Sequence, residues 1–197
     1  MKVIGLTGGI GTGKSTVTAF LREKNYPVFD ADQMAREMTG PGGSALPEIR
    51  RVFGDKVFAS DGALDRKKLA SIVFADQSRK EDLEKITTQK VVSDLKQQIE
   101  TLRQSQQQGV VFIDAPLLFE AGVDQLCTLV WVICADAEIR INRVMERDGT
   151  GREEVLQRMK NQMSDEEKKA RAQEIIDNSK GKEALYQQVE ALLRKYA

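Results

Sequence analysis

The stretch Lys2-Val3-Ile4-Gly5-Leu6-Thr7-Gly8-Gly9-Ile10-Gly11-Thr12-Gly13-Lys14-Ser15 decides how the rest of the chain is read. Lys2–Leu6 is a short apolar run and reads as a buried strand. Gly8–Ser15 fits the spacing G-x-x-x-x-G-K-[ST]. Glycines allow the backbone angles that turn successive N–H groups toward phosphate oxygens. A helix is expected from Ser15, with Val17, Phe20 and Leu21 on one face, aiming the positive end of its dipole at the same anion. Lys14 can reach β- and γ-phosphates and is expected to pack against nothing. Ser15 offers a hydroxyl to Mg²⁺, and Thr16 is close enough for a further phosphate contact. Gly9, Gly11, Thr12, Gly13, Lys14, Ser15 and Thr16 are therefore the candidate nucleotide-binding residues of this loop. The strand before it and the amphipathic helix after it distinguish it from a chance Gly-rich turn.

Outward from the loop, Pro27-Val28-Phe29-Asp30 reads as a second strand, which makes the opening a βαβ unit and implies a parallel sheet. From about Asp32 to Gln108 helical patterns dominate, interrupted at Gly40-Pro41-Gly42-Gly43 and Asp61-Gly62. Glu81–Gln107 is polar with apolar residues near helical spacing, and the Gln-rich run Gln104–Gln108 reads as a helix end and solvated turn. Val110–Ile113 and Leu129–Ile133 are two further buried strands. Glu138–Arg147 reads as an arginine-rich helix, Glu153–Lys169 as one polar helical stretch, Ile175-Ile176 as a short strand and Lys182–Tyr196 as a closing helix. This alternation predicts an α/β fold: a doubly wound parallel sheet of the P-loop NTPase type with a helical insertion.

Phosphoryl transfer needs a metal site, an oriented hydroxyl and charge neutralisation. Asp30-Ala31-Asp32 follows the second strand at the edge where such sheets bind ligands. If strand geometry persists to Asp32, the pleat puts both carboxylates on one face. One would then orient or deprotonate the acceptor and the other hold a Mg²⁺-bound water; Asp30 is the metal candidate and Asp32 the catalytic one. Both could also cap the next helix. Asp114 ends an apolar run and resembles a Walker B carboxylate, a third metal candidate beside Ser15. Arg143 and Arg147 share a helix face and could neutralise the transferring group from a mobile lid. Arg140, Arg152 and Arg158 read as structural.

Lys+Arg and Asp+Glu balance at 30 each, so a general basic field for nucleic acid is missing. The chain has no histidine, which excludes Ser-His and Cys-His catalysis and His-ligated metals. Cys127 and Cys134 lack metal-ligand spacing and read as buried small hydrophobes. No apolar run is long enough for a membrane span and no signal-peptide pattern opens the chain, so a cytoplasmic protein without membrane contact is expected.

Several segments together resemble the dephospho-CoA kinase family, the last enzymes of coenzyme A synthesis. They are Ile4–Gly11, Asp30-Ala31-Asp32 with Ala35-Arg36, Pro41-Gly42 with Ala45-Leu46, Phe53-Gly54, Asp61–Arg66 and Val73-Phe74. Pro116-Leu117-Leu118-Phe119-Glu120, Arg143 to Arg147-Asp148, Arg158 to Gln162 and Asp177-Asn178 complete the set. The Asp-Ala-Asp and Pro-Leu-Leu-Phe-Glu segments are the specific ones. The resemblance implies a nucleotide core (residues 1–33, 108–140 and 170–197), a helical CoA domain (34–107) and a lid (141–169). It implies ATP as donor, Mg²⁺, and the small-molecule acceptor dephospho-CoA, phosphorylated at its ribose 3′-hydroxyl. It gives Asp32 the role of base or orienter of the acceptor hydroxyl, brings the lid arginines Arg143 and Arg147 into contact with ATP, and puts Asn178 near adenine; Lys14, Arg143 and Arg147 join Asp32 as the catalytic candidates. Thr87-Thr88 departs from the His-Pro usual in the family. The alternatives are another small-metabolite or nucleotide P-loop kinase, such as a shikimate-type kinase, and a nucleotide-dependent switch. Against the switch, the chain lacks Asn-Lys-x-Asp, and its D-x-x-G spacing, at Asp148–Gly151, follows no buried strand.

Overall fold

A computed structural model describes residues 1–105 and 109–196 of the protein. The chain divides into two compact units, Met1–Asp30 with Thr101–Ala197, and Ala31–Glu100. The first carries five parallel strands: β1 (Lys2–Thr7), β2 (Val28–Asp30), β3 (Val110–Asp114), β4 (Leu129–Cys134) and β5 (Glu174–Asp177). Their order is β2-β3-β1-β4-β5. All pairings are parallel, with Leu6 opposite both Asp114 and Trp131 and Asp30 opposite Asp114.

Burial along the strands follows from this order. β3 and β4 are buried at every residue, and β1 from Val3 onward. A central parallel strand is covered on both faces and so reads as a continuous apolar run. The edge strands are short and only partly buried; β5 exposes Ile175. One face packs against α1 (Lys14–Glu23) and α9 (Lys182–Tyr196), through Val17, Phe20 and Leu21 and through Leu185, Val189 and Leu193. Phe112 and Trp131 meet edge-on at 5.3 Å, and Phe20 stacks on Tyr186 at 4.0 Å. Trp131 is fully buried, and its indole N–H has no hydrogen-bond partner among the described residues.

This unit also carries α6 (Ala137–Asp148), α7 (Arg152–Lys160) and α8 (Asp165–Arg171). The single stretch expected over Glu153–Lys169 is thus two helices. The chain leaves helix at Asn161 and restarts at Ser164, whose hydroxyl accepts from Glu167 N–H at 3.2 Å while the Glu167 carboxylate accepts from Ser164 N–H at 3.0 Å. This reciprocal cap satisfies two donors that a helix start otherwise leaves open. Ile141, Val144 and Val155 form a small separate core with Ile10 of the loop packed against it. Residues 141–169 cluster with the sheet-bearing unit.

The other unit contains α2 (Ala31–Met38), α3 (Leu46–Phe53), α4 (Arg66–Ala75) and most of α5 (Gln77–Ser105). Pro47 sits in the first turn of α3, where its missing N–H costs nothing. Asp65 caps α4 by accepting from Lys68 N–H at 3.0 Å. α5 buries Ile86, Val91, Leu95 and Ile99 at helical spacing and runs unbroken through Thr87-Thr88; the Thr87 hydroxyl donates to Leu83 C=O at 2.9 Å. Of the expected Gln-rich turn, residues 106–108 lie outside the described residues. Among the described residues, no helix is long and apolar enough to cross a membrane.

Candidate active site

The loop between β1 and α1 is held open toward one side by its glycines. Gly13, the residue before α1, has φ +91°, and a Cβ there would collide with the Asn178 amide. Gly11 has φ +79°, and its Cβ would lie 2.6 Å from Arg140 C=O. Gly13 provides no side-chain cap for α1, although its C=O accepts from Thr16 N–H at 3.0 Å, and a helix start without a side-chain cap suits an anion in the loop. Gly8 through Ser15 line a cleft of about 340 Å³ together with Pro116, Arg143, Val144, Arg147 and Gln162.

Lys14 departs from expectation. Its ammonium is ion-paired with Asp114 Oδ1, while Thr18 Oγ1 donates to Asp114 Oδ2 at 2.6 Å. Asp114 is 5% exposed and ends β3 in register with Asp30 at the carboxyl edge of the sheet. Lys14 therefore neutralises a buried carboxylate. Ser15 is exposed on the cleft wall and Thr16 half-buried. Thr12 is wholly internal: its N–H and hydroxyl donate to Gly9 C=O at 3.2 and 2.9 Å.

Asn178 is also a brace. Its amide donates to Thr12 C=O at 2.8 Å, its N–H donates to Cys134 C=O at 2.8 Å, and its own C=O accepts from Arg143 at 3.0 Å. The α6 arginines at positions 140, 143 and 147 share one face. Arg140 is buried, pairs with Asp165 and donates through Nε to Ile10 C=O at 2.8 Å. Arg143 is half-buried, and its Nη1 is buried without a hydrogen-bond partner among the described residues. It lines both the main cleft and an adjoining hollow of about 180 Å³, shared with Gly13, Thr16, Asn178, Lys182 and Leu185. Arg147 is exposed and grips Asp148 at 2.7 and 3.0 Å. That contact and Arg158 hold the Asp148 carboxyl below its ordinary range. Arg152 and Arg158 pair with Glu138 and with Asp148 and Glu154, as structural arginines would.

The shared strand face expected for Asp30 and Asp32 is not formed. β2 stops at Asp30 and the backbone turns helical at Ala31, so Asp32 is an exposed first-turn residue of α2. A carboxylate there suits the helix dipole. Sequence reading missed Gln162 as a residue of the site, although it lay in a recognised segment; its Oε1 accepts from Ile10 N–H at 2.9 Å. It also missed Lys168, fully buried in a polar helix, which donates to Pro116 C=O at 2.9 Å and pairs with Glu120 at 3.1 Å. Its partners Pro116 and Glu120 lie in the Pro116–Glu120 segment, the one specific signal in the sequence that bears on it.

A family profile described as dephospho-CoA kinase matches residues 2–183. The dephospho-CoA kinase of Geobacter sulfurreducens is 44% identical over 195 residues, 99% of this chain and 98% of that one. A crystal structure from Thermus thermophilus is similar with a TM-score of 0.81 at 37% identity, over 100% of this chain and 98% of that one. The fold is also that of the dephospho-CoA kinase of Campylobacter jejuni, with a TM-score of 0.74 at 24% identity and 98% of each chain covered. With a profile match over residues 2–183 and 44% identity along nearly its whole length, the chain that carries this phosphate loop and its lysine–aspartate pair belongs to the dephospho-CoA kinase family.

Proposed function

We propose that the protein transfers the γ-phosphoryl group of ATP to the ribose 3′-hydroxyl of dephospho-coenzyme A, giving coenzyme A and ADP. The observation that carries this reading is the cleft lined by the entire phosphate loop and faced by Arg143 and Arg147. Two features fit a polyphosphate in particular. The start of α1 has no side-chain cap, and the buried Arg143 Nη1 has no partner among the described residues although burying such a group is costly. The donors also fit Mg²⁺, which is typically held through one or two carboxylates, phosphate oxygens and water. Ser15, Asp30 and Asp114 would hold it. Bound there, Mg²⁺ supplies charge neutralisation on the phosphate oxygens.

The roles of the side chains follow from their surroundings. Lys14 exchanges the Asp114 carboxylate for β/γ-phosphate oxygens, and Asp114 stays fixed by Thr18. Arg143 meets the transferring group with its unpaired Nη1, and Arg147 does so after leaving Asp148. Gly9, Gly11, Gly13 and Thr16 bind phosphate oxygens, Thr12 keeps the loop closed on itself, and Asn178 holds the loop beside the smaller hollow, which takes the adenine. Asp32, assigned through the Asp-Ala-Asp motif, orients the acceptor hydroxyl and accepts its proton, and the helical unit binds the acceptor. The segment 141–169 acts as the lid. We place the reaction in the cytoplasm, with a small molecule rather than nucleic acid as acceptor.

The test is incubation with ATP, Mg²⁺ and dephospho-CoA, followed by mass analysis for one added phosphoryl group. The 3′-deoxy analogue should bind and remain unmodified. Phosphorylation of that analogue, or of shikimate or a nucleoside monophosphate with none of dephospho-CoA, overturns the reading.

A further inference from the structure

We propose that Gln162 is a positioning residue for the phosphate loop: with Arg140 it fixes the two peptide planes flanking Ile10, so that the loop presents N–H groups rather than carbonyls to the nucleotide. The proposal deepens the ATP-dependent reading and rests on it. Ile10 is held at three points. Its N–H donates to Gln162 Oε1 at 2.9 Å, its C=O accepts from Arg140 Nε at 2.8 Å, and its side chain packs on the small core of α6 and α7.

The consequence follows from peptide geometry. Across a trans peptide the N–H and C=O point in opposite directions. Turning Ile10 N–H onto Gln162 sends Gly9 C=O the other way, where it accepts from Thr12 N–H and Oγ1 at 3.2 and 2.9 Å. Turning Ile10 C=O onto Arg140 sends Gly11 N–H away from Arg140. Arg140 cannot swing free, because it is 4% exposed and paired with Asp165, and a Cβ on Gly9 would collide with its guanidinium. Gln162 lies in the break between α7 and α8, where its own N–H donates to Met159 C=O at 3.2 Å. A flipped peptide in this loop would set a carbonyl dipole against phosphate, reversing the electrostatics on which such sites depend.

The test compares Gln162→Met, which keeps the length but removes the acceptor, with Gln162→Glu, which keeps an acceptor. The first readout is exchange of the Ile10 amide hydrogen by NMR in the nucleotide-free protein, with ADP affinity and steady-state kinetics alongside. Gln162→Met should speed Ile10 exchange about tenfold or more and lower kcat on the order of tenfold, with the melting midpoint unchanged. Gln162→Glu should restore Ile10 protection and most of kcat while raising KM for ATP, because its charge repels phosphate. Unchanged Ile10 exchange in Gln162→Met, or a lowered midpoint with wild-type kcat, overturns the proposal. So does Gln162→Glu with Ile10 protected but kcat as low as in Gln162→Met, which would mean direct contact with nucleotide. If the wild type fails to phosphorylate dephospho-CoA, the functional reading falls, while Ile10 exchange and ADP affinity still judge Gln162.

Discussion

Replacing Lys14 by Met should damage the protein twice, and a second substitution should separate the two effects. In the wild type Asp114 has an ion pair on Oδ1 and the Thr18 hydroxyl on Oδ2. The Lys14 and Asp114 side chains are 15% and 6% exposed. Removing one partner of a buried pair costs about 3–5 kcal/mol, because a desolvated charge is left behind. Here Thr18 stays in place and the cleft admits water at the Lys14 end, so we expect about 2–3 kcal/mol on that scale. For a chain of this size that is a fall in melting midpoint of roughly 5–10 °C. The double variant Lys14→Met/Asp114→Asn removes the stranded charge and should melt within about 1 kcal/mol of wild type. Neither variant should transfer phosphate, since Lys14 is the cation for the β- and γ-phosphates. Calorimetric melting and mass-detected transfer read the two effects. A single variant as stable as wild type would show that the pair carries no desolvated charge. Transfer by the double variant within about threefold of wild type, under roughly 0.7 kcal/mol of barrier, would refute the role of Lys14.

Arg143→Met forfeits one 3.0 Å bond to Asn178 C=O and a guanidinium nitrogen that has no partner among the described residues, so it should melt close to wild type yet lose on the order of 10²-fold or more in kcat/KM. An unchanged kcat/KM would remove Arg143 from the reaction. For Glu174, contact with Lys195 and then Tyr196 holds the carboxyl below its ordinary value of 4.5. A lowered carboxyl stabilises the fold above its ordinary range, and the stabilisation is lost as pH falls through the lowered value. The melting midpoint of wild type should therefore exceed that of Glu174→Gln at pH 7, and the gap should close as the pH falls below the ordinary carboxyl range and through the lowered value. A gap independent of pH would assign the effect to packing.

What could be read from sequence was local or periodic. β1, its loop and α1 are one contiguous signal, and the buried strands β3 and β4 are unbroken apolar runs because the sheet covers both their faces. What escaped was long-range or hidden by composition. Ile10 and Gln162 are 152 positions apart, and Lys14 and Asp114 are 100 apart. No spacing rule links residues at such distances, so Lys14 was read as free of packing. Lys168 sits among acidic and basic neighbours and looks like a solvated face until α8 is laid on β4 and Glu120 supplies its counter-charge. The break at Asn161–Ser164 was legible in principle from Ser164-x-x-Glu167, a capping pattern lost in a uniformly polar stretch. At Asp30-Ala31-Asp32 the alternating period was carried two residues too far, and helix had already begun.

The lone tryptophan has a practical consequence at the bench. Trp131 is sealed in the core, its ring beside Phe112 and Tyr196, with no hydrogen-bond partner among the described residues for its N–H. An indole so shielded should emit at the blue end of its fluorescence range and move red only when water enters the sheet. The protein thus carries an optical gauge of its own unfolding. A red shift of the intrinsic emission, in heat, in denaturant or during a ligand titration, would signal water reaching the core around Trp131.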